Sequence, residues 1–141
     1  MILIDANILM YAAGTEHPNK KPSVQTLVSV ADGTLDAALD AEVLQEILHR
    51  YRALHRWQEG RRVFDAARRI FAVVLPVTAD TLDVARDLLD EHSGLSARDA
   101  LHAAVVKNHE LDGICSFDTD FDDIDWLRRI EPQDVVRGGR S

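Results

Sequence analysis

Met1-Ile2-Leu3-Ile4-Asp5 is an apolar run, rich in β-branched residues, that stops abruptly on a carboxylate. So short a run, apolar at every position rather than at alternate ones, predicts a strand buried on both faces of a parallel sheet. Open α/β sheets present their ligand crevices at the carboxyl ends of the strands, which puts Asp5 at the mouth of one. The pattern returns late in the chain, where Ile114-Cys115-Ser116-Phe117 runs into Asp118. Two strand-terminal aspartates suggest a metal site, for which the intervening sequence must supply further ligands.

Working outward from the first strand, Ile8 to Ala13 reads as a short helix closed by Gly14. A polar loop with two prolines and two lysines follows from Thr15 to Pro22. Ser23 is expected to cap a helix through Val30, and a weak strand lies around Asp36 to Leu39. From Ala41 to about Leu54 the residues Val43, Leu44, Ile47, Leu48 and Tyr51 fall on one helical face. A second helix spans about Gln58 to Ala72, and Val73-Val74-Leu75 is a strand stopped by Pro76. Thr78 starts an amphipathic helix ending near Ser93-Gly94, and Ser96 caps another through about Asn108. Asp112-Gly113 turns into the strand ending at Asp118, with a last short strand near Arg129-Ile130. Alternating β and α elements with paired helices as crossovers predict a three-layer α/β/α sandwich around a small central parallel sheet. Residues 1–141 are expected to form one domain.

Aromatic residues make up only 6% of the chain, so the core should be aliphatic, as suits helices packed on a sheet. Every apolar run is broken by charge too soon to span a membrane. No basic segment precedes the first apolar stretch and Asp5 interrupts it, so no signal peptide and a cytoplasmic location are expected. The single cysteine, Cys115, falls inside a predicted strand and reads as a small core residue in a reducing compartment. A net charge of −8 argues against nonspecific nucleic-acid binding, but the charge is unevenly placed. Seven of the sixteen basic residues lie between Arg50 and Arg69, while Asp118 to Asp125 holds five aspartates. One region is suited to phosphates; the other needs cations or raised pKa values.

The individual carboxylates have ordinary readings too. Asp5 suits a turn with Asn7. Glu46, on its own, reads as an exposed helix residue paired with Arg50 one turn later. Asp99 follows Ser96 at capping-box spacing. Asp118-Thr119-Asp120-Phe121-Asp122-Asp123 imitates the start of a calcium loop, but Asp123 stands at its Gly position and Arg129 at its closing Glu. A phosphatase of the haloacid-dehalogenase type wants Asp-x-Asp after the first strand, where this chain has Asp5-Ala6-Asn7. The six histidines lack zinc-helix spacing, so surface or basic-patch roles are expected for them.

Four segments in order resemble the PIN-domain family, specifically the VapC-type toxins of bacterial toxin–antitoxin pairs. They are Ile4-Asp5-Ala6-Asn7, Val43-Leu44-Gln45-Glu46-Ile47, Asp99-Ala100-Leu101-His102-Ala103-Ala104 and Ser116-Phe117-Asp118-Thr119-Asp120-Phe121. The resemblance implies a PIN-like fold and a catalytic quartet of Asp5, Glu46, Asp99 and Asp118 around Mg²⁺ or Mn²⁺. Asp120 would assist or replace Asp118 at the metal, and Asn7 would support the site. It further implies a ribonuclease that hydrolyses RNA phosphodiesters, a cognate antitoxin as protein partner and a homodimeric assembly. Arg50, Arg52 and Arg56, on or near the helix of Glu46, are the candidate RNA contacts. The rival readings are a metal-dependent phosphatase and a non-catalytic PIN-like RNA-binding module.

Overall fold

The computed structural model describes residues 1–138. Its sheet has five parallel strands in the order β3-β2-β1-β4-β5, with β1 at Ile2–Ile4, β2 at Ala37–Asp40, β3 at Val74–Leu75, β4 at Ile114–Cys115 and β5 at Arg129–Ile130. Between β1 and β2 lie α1 (Ala6–Ala13) and α2 (Lys20–Ala31); between β2 and β3 lie α3 (Ala41–Ala53) and α4 (Trp57–Ile70). The third crossover carries α5 (Ala79–Glu91) and α6 (Ala97–Asn108), and α7 (Pro132–Gly138) follows β5. The chain steps outward from β1 to β3, then returns past β1 to β4. The strand order therefore reverses between β1 and β4, the place where such sheets open a crevice.

β1 shows why it is apolar throughout. Ile2 and Ile4 pack in one core with Ile8, Leu27, Val43 and Ile47, while Leu3 faces the other way onto Leu88, Ala100, Ala103 and Ala104. Side chains alternate across a strand, so both faces of β1 are covered by helices. In α6 the fully buried residues at the sheet are mostly alanines, which lets its backbone lie close. Gly60 does the same where α3 and α4 cross: a Cβ there would stand 2.4 Å from the Tyr51 Cβ.

Two expectations are corrected and one element is added. Helix α2 begins at Lys20, three residues before the expected cap, and Ser23 lies inside it, its Oγ donating to the Asn19 carbonyl at 2.7 Å. Pro22 is no barrier because it sits in the first turn, where no intrahelical partner awaits its missing N–H. Strand β2 is displaced by one residue, so that Asp40, not Asp36, belongs to it. Helix α7, packed on α2, was not expected from the sequence.

Candidate metal centre

Strands β1 and β2 each hand over directly to a helix through an acidic cap. Asp5 ends β1 and caps α1, its Oδ1 accepting from the Ala6 N–H at 2.7 Å. Asp40 ends β2 and caps α3, its Oδ1 accepting from the Val43 N–H at 2.9 Å. Caps of this kind stabilise a helix by about 1 kcal/mol and point its positive end at the crevice.

Two groups of side chains stand there. The inner group is Asp5, Glu46 and His102, all buried. Ser116 Oγ donates to Asp5 Oδ2 at 2.6 Å and accepts from Asn7 Nδ2 at 3.1 Å and from the Asp118 N–H at 2.9 Å. Burial, followed by the charge of Glu46, pushes the Asp5 carboxyl above its usual range, against the opposing pull of His102 and Ser116. His102 Nδ1 lies 2.6 Å from Asp40 Oδ2 and Nε2 lies 2.9 Å from Glu46 Oε1. A carboxylate only accepts, so a ring bonded to one at each nitrogen donates from both and carries charge. Burial works against that charge, yet the bonds to Asp40 and Glu46 and the charges of Asp40 and Asp5 outweigh it. The ring pKa stands well above that of an ordinary imidazole.

The outer group is Asp99, Asp118 and Asp120, with Asp99 and Asp118 half-buried and Asp120 exposed. Asp99 lies in the first turn of α6, its N–H donating to the Ser96 cap at 3.1 Å. Asp118 caps the 3₁₀ turn Thr119–Asp123 by accepting from the Asp120 N–H at 2.9 Å. Partial burial, then the adjacent Asp118 carboxyl and the charge of Asp5, push Asp99 up to about 7. One carboxyl of the pair therefore tends to hold a proton at neutral pH unless a cation takes its place.

Members of both groups, Asp5 and Glu46 from the inner and Asp118 from the outer, line one cleft of about 560 Å³ together with Asn7, Arg50 and Arg98. The donor set fits a hard divalent cation, being made of carboxylate oxygens and the side-chain carbonyl of Asn7. That Asn7 Oδ1 is buried and has no protein partner among the described residues, as an oxygen awaiting a cation or its water would.

All four acids of the expected quartet thus stand at the carboxyl edge, with Asp120 at its outer rim. Glu46 departs from its ordinary reading: it is 8% exposed and bonds His102 rather than Arg50. Surface roles hold for the exposed His17, His49, His55 and His109, and fail for His102, which is 0% exposed. Of the three candidate RNA contacts, Arg50 lines the cleft; Arg52 borders a separate hollow with Trp57, and Arg56 pairs with Glu59 at 2.5 Å. Sequence reasoning missed Arg98, Ser116, Asp40 and His102. A signal for Asp40 was present, since Ala38-Leu39-Asp40 repeats the apolar-strand-then-aspartate pattern of β1. His102 sat among Ala100, Leu101, Ala103 and Ala104, an apolar setting in which a surface histidine is out of place.

The PIN domain profile matches residues 2–127, and the chain belongs to that family. Among its relatives are a VapC ribonuclease of Mycobacterium bovis and ribonuclease VapC13 of Mycobacterium tuberculosis. Each is 42% identical over 130 residues, covering 92% of this chain and 99% of the relative. The fold matches that of Mycobacterium tuberculosis VapC20, described as a sarcin–ricin-loop-cleaving toxin, with a TM-score of 0.73 and 20% identity over 90% of this chain and 97% of that one. It also matches a chain of a toxin–antitoxin complex from Klebsiella pneumoniae, with a TM-score of 0.66 and 20% identity over 94% of this chain and 98% of that one. Among the described residues no helix is long and apolar enough to cross a membrane.

Proposed function

We propose that this chain is a Mg²⁺- or Mn²⁺-dependent ribonuclease and the toxic half of a toxin–antitoxin pair. The observation that carries the reading is the gathering of Asp5, Glu46 and Asp118, from three separate segments, on the wall of one cleft that Arg50 and Arg98 also line, with Asp99 set against Asp118. Relatives that are named ribonucleases, with 42% identity over nearly their whole length, support it. Asp5, Glu46, Asp99 and Asp118 would hold the cation, with Asp120 assisting from the rim and Asn7 Oδ1 supporting. The bound cation would supply an acidified water as nucleophile and offset the charge on the phosphate under attack. Asp99, whose carboxyl partial burial and the neighbouring Asp118 push up, would hold the cation in its ionised form. Arg50 and Arg98 make charge-assisted contacts to the RNA backbone, which the acidic cleft would otherwise repel.

The direct test incubates the purified chain with structured RNA and with an aryl phosphate, in Mg²⁺ or Mn²⁺ and again with chelator. RNA cleavage that needs added cation is expected. Turnover of the aryl phosphate with the RNA left intact would replace this reading by a phosphatase. Expression of the chain alone should arrest bacterial growth, and co-expression of the neighbouring gene, as the cognate antitoxin, should restore it. Unimpaired growth with soluble, RNA-cleaving protein present would remove the toxin half of the proposal.

A further inference from the structure

Glu46 has three side-chain torsions and sits on a helix beside Arg50, so nothing in its own segment holds its carboxylate at the cleft wall. Its fixing comes from elsewhere. Asp40 uses one oxygen to cap α3, the helix that carries Glu46, and the other to bond His102 Nδ1 at 2.6 Å. The opposite ring nitrogen lies 2.9 Å from Glu46 Oε1. Asp40 and His102 are both 0% exposed, so neither side chain has a second place to go. Neither lines the cleft. The four parts close a circuit running from Asp40 through α3 to Glu46, across to His102 and back.

We propose that Asp40 and His102 are a positioning pair that fixes the Glu46 carboxylate against the cleft, so that cation affinity depends on two residues that do not border it. The inference rests on the reading of Glu46 as a ligand, and it deepens that reading. Groups that orient a metal ligand from behind typically alter affinity or activity by roughly 10–100-fold when removed. An asparagine amide lies where the imidazole Nδ1 does, and a glutamine amide lies near Nε2. His102→Asn therefore keeps the bond to Asp40 and releases Glu46, whereas His102→Gln keeps a donor on Glu46.

The experiment measures Mn²⁺ binding by calorimetry and the Glu46 conformation by crystallography in both variants, alongside thermal melts. His102→Asn should weaken Mn²⁺ binding roughly 10–100-fold and leave the Glu46 side chain displaced or spread over rotamers. His102→Gln should restore most of the affinity even though both variants melt lower than the wild type. A purely structural histidine would lower both melts and leave Mn²⁺ affinity alike in the two, which overturns the proposal. So does an unmoved Glu46 in His102→Asn. If Glu46 moves while cation binding and RNA cleavage stay at wild-type levels, positioning stands and the assignment of Glu46 as ligand fails. Should His102→Asn not fold, nuclear magnetic resonance of the wild type serves. A slowly exchanging Nε2–H signal that shifts on adding Mg²⁺ is expected, and its absence overturns the pair.

Discussion

The inner and outer halves of the cleft carry the same chemical group under opposite restraint. Asp5 and Glu46 are buried and held by hydrogen bonds from Ser116, the Ala6 N–H and His102, so their charges are answered within the protein. Asp99, Asp118 and Asp120 are more open and face one another, with little but backbone N–H groups to answer them. Buried carboxylates tolerate desolvation only when paired, whereas half-exposed ones can crowd together and share protons. The inner half is thus preformed and the outer half is waiting for charge from outside.

Substitutions should separate these halves by stability while uniting them by activity. Asp5→Asn and Asp99→Asn are both expected to bring RNA cleavage and Mn²⁺ binding down to background, with far-ultraviolet circular dichroism unchanged. Full cleavage by either variant would remove that residue from the site. Glu46→Ala, which strips a partner from the buried His102, should lower unfolding free energy by about 3–5 kcal/mol in denaturant titration. Asp99→Asn should instead raise the melting temperature of the metal-free protein by removing repulsion from Asp118. Equal destabilisation by the two would erase the distinction between the halves.

The third expectation concerns pH. The Asp99 carboxyl is pushed up to about 7 from 3.8, so between about pH 4 and about pH 7 the folded chain holds a proton that the unfolded chain has released. Stability of the metal-free protein should therefore be full at the acid end of that window and fall as pH rises through it. The raised pKa values of Asp5 and His102 act with the same sign, His102 at still higher pH. Saturating Mg²⁺ should reverse the slope near neutrality, and melts across that range in chelator and in Mg²⁺ check it. The smallest effect belongs to the rim. Arg50→Gln and Arg98→Gln, each removing one bond to an RNA phosphate, should flatten the log–log salt dependence of single-strand binding by about 0.7 apiece. Arg52→Gln, outside the cleft, should leave the slope unchanged, and a flatter slope there would move the RNA path to the α3–α4 corner.

The sequence announced those parts of the molecule that repeat a local rule. The helical faces of α3 and α4, the Thr78 and Ser96 caps and the apolar strands β1 and β4 all follow from period and punctuation. The outer acids were legible because they follow a strand or sit beside a cap. What stayed hidden was pairing across the fold. His102 and Glu46 are 56 residues apart, and His102 and Asp40 are 62 apart, so no spacing rule joins them. The exposed Glu46–Arg50 pair was the sound local expectation, and a tertiary partner displaced it. Asp40 was lost with a strand boundary misplaced by one residue, which in a strand of four decides whether a side chain is counted at all.

Cys115 offers a way to watch this arrangement open. It is the only cysteine, fully buried on β4 between β1 and β5, with its backbone carbonyl accepting from the Asp5 N–H at 3.0 Å. Burial, helped by the charge of Asp5, pushes its thiol up to about 12, leaving almost no thiolate in the closed protein. A thiol reagent can then label the chain only during excursions that lift the covering helices off β1 and β4 or part the two strands, so the alkylation rate becomes a clock for those openings. Any occupant that ties the two carboxyl ends together should slow that clock in proportion to its binding, giving a measure of occupancy that needs neither RNA nor catalysis.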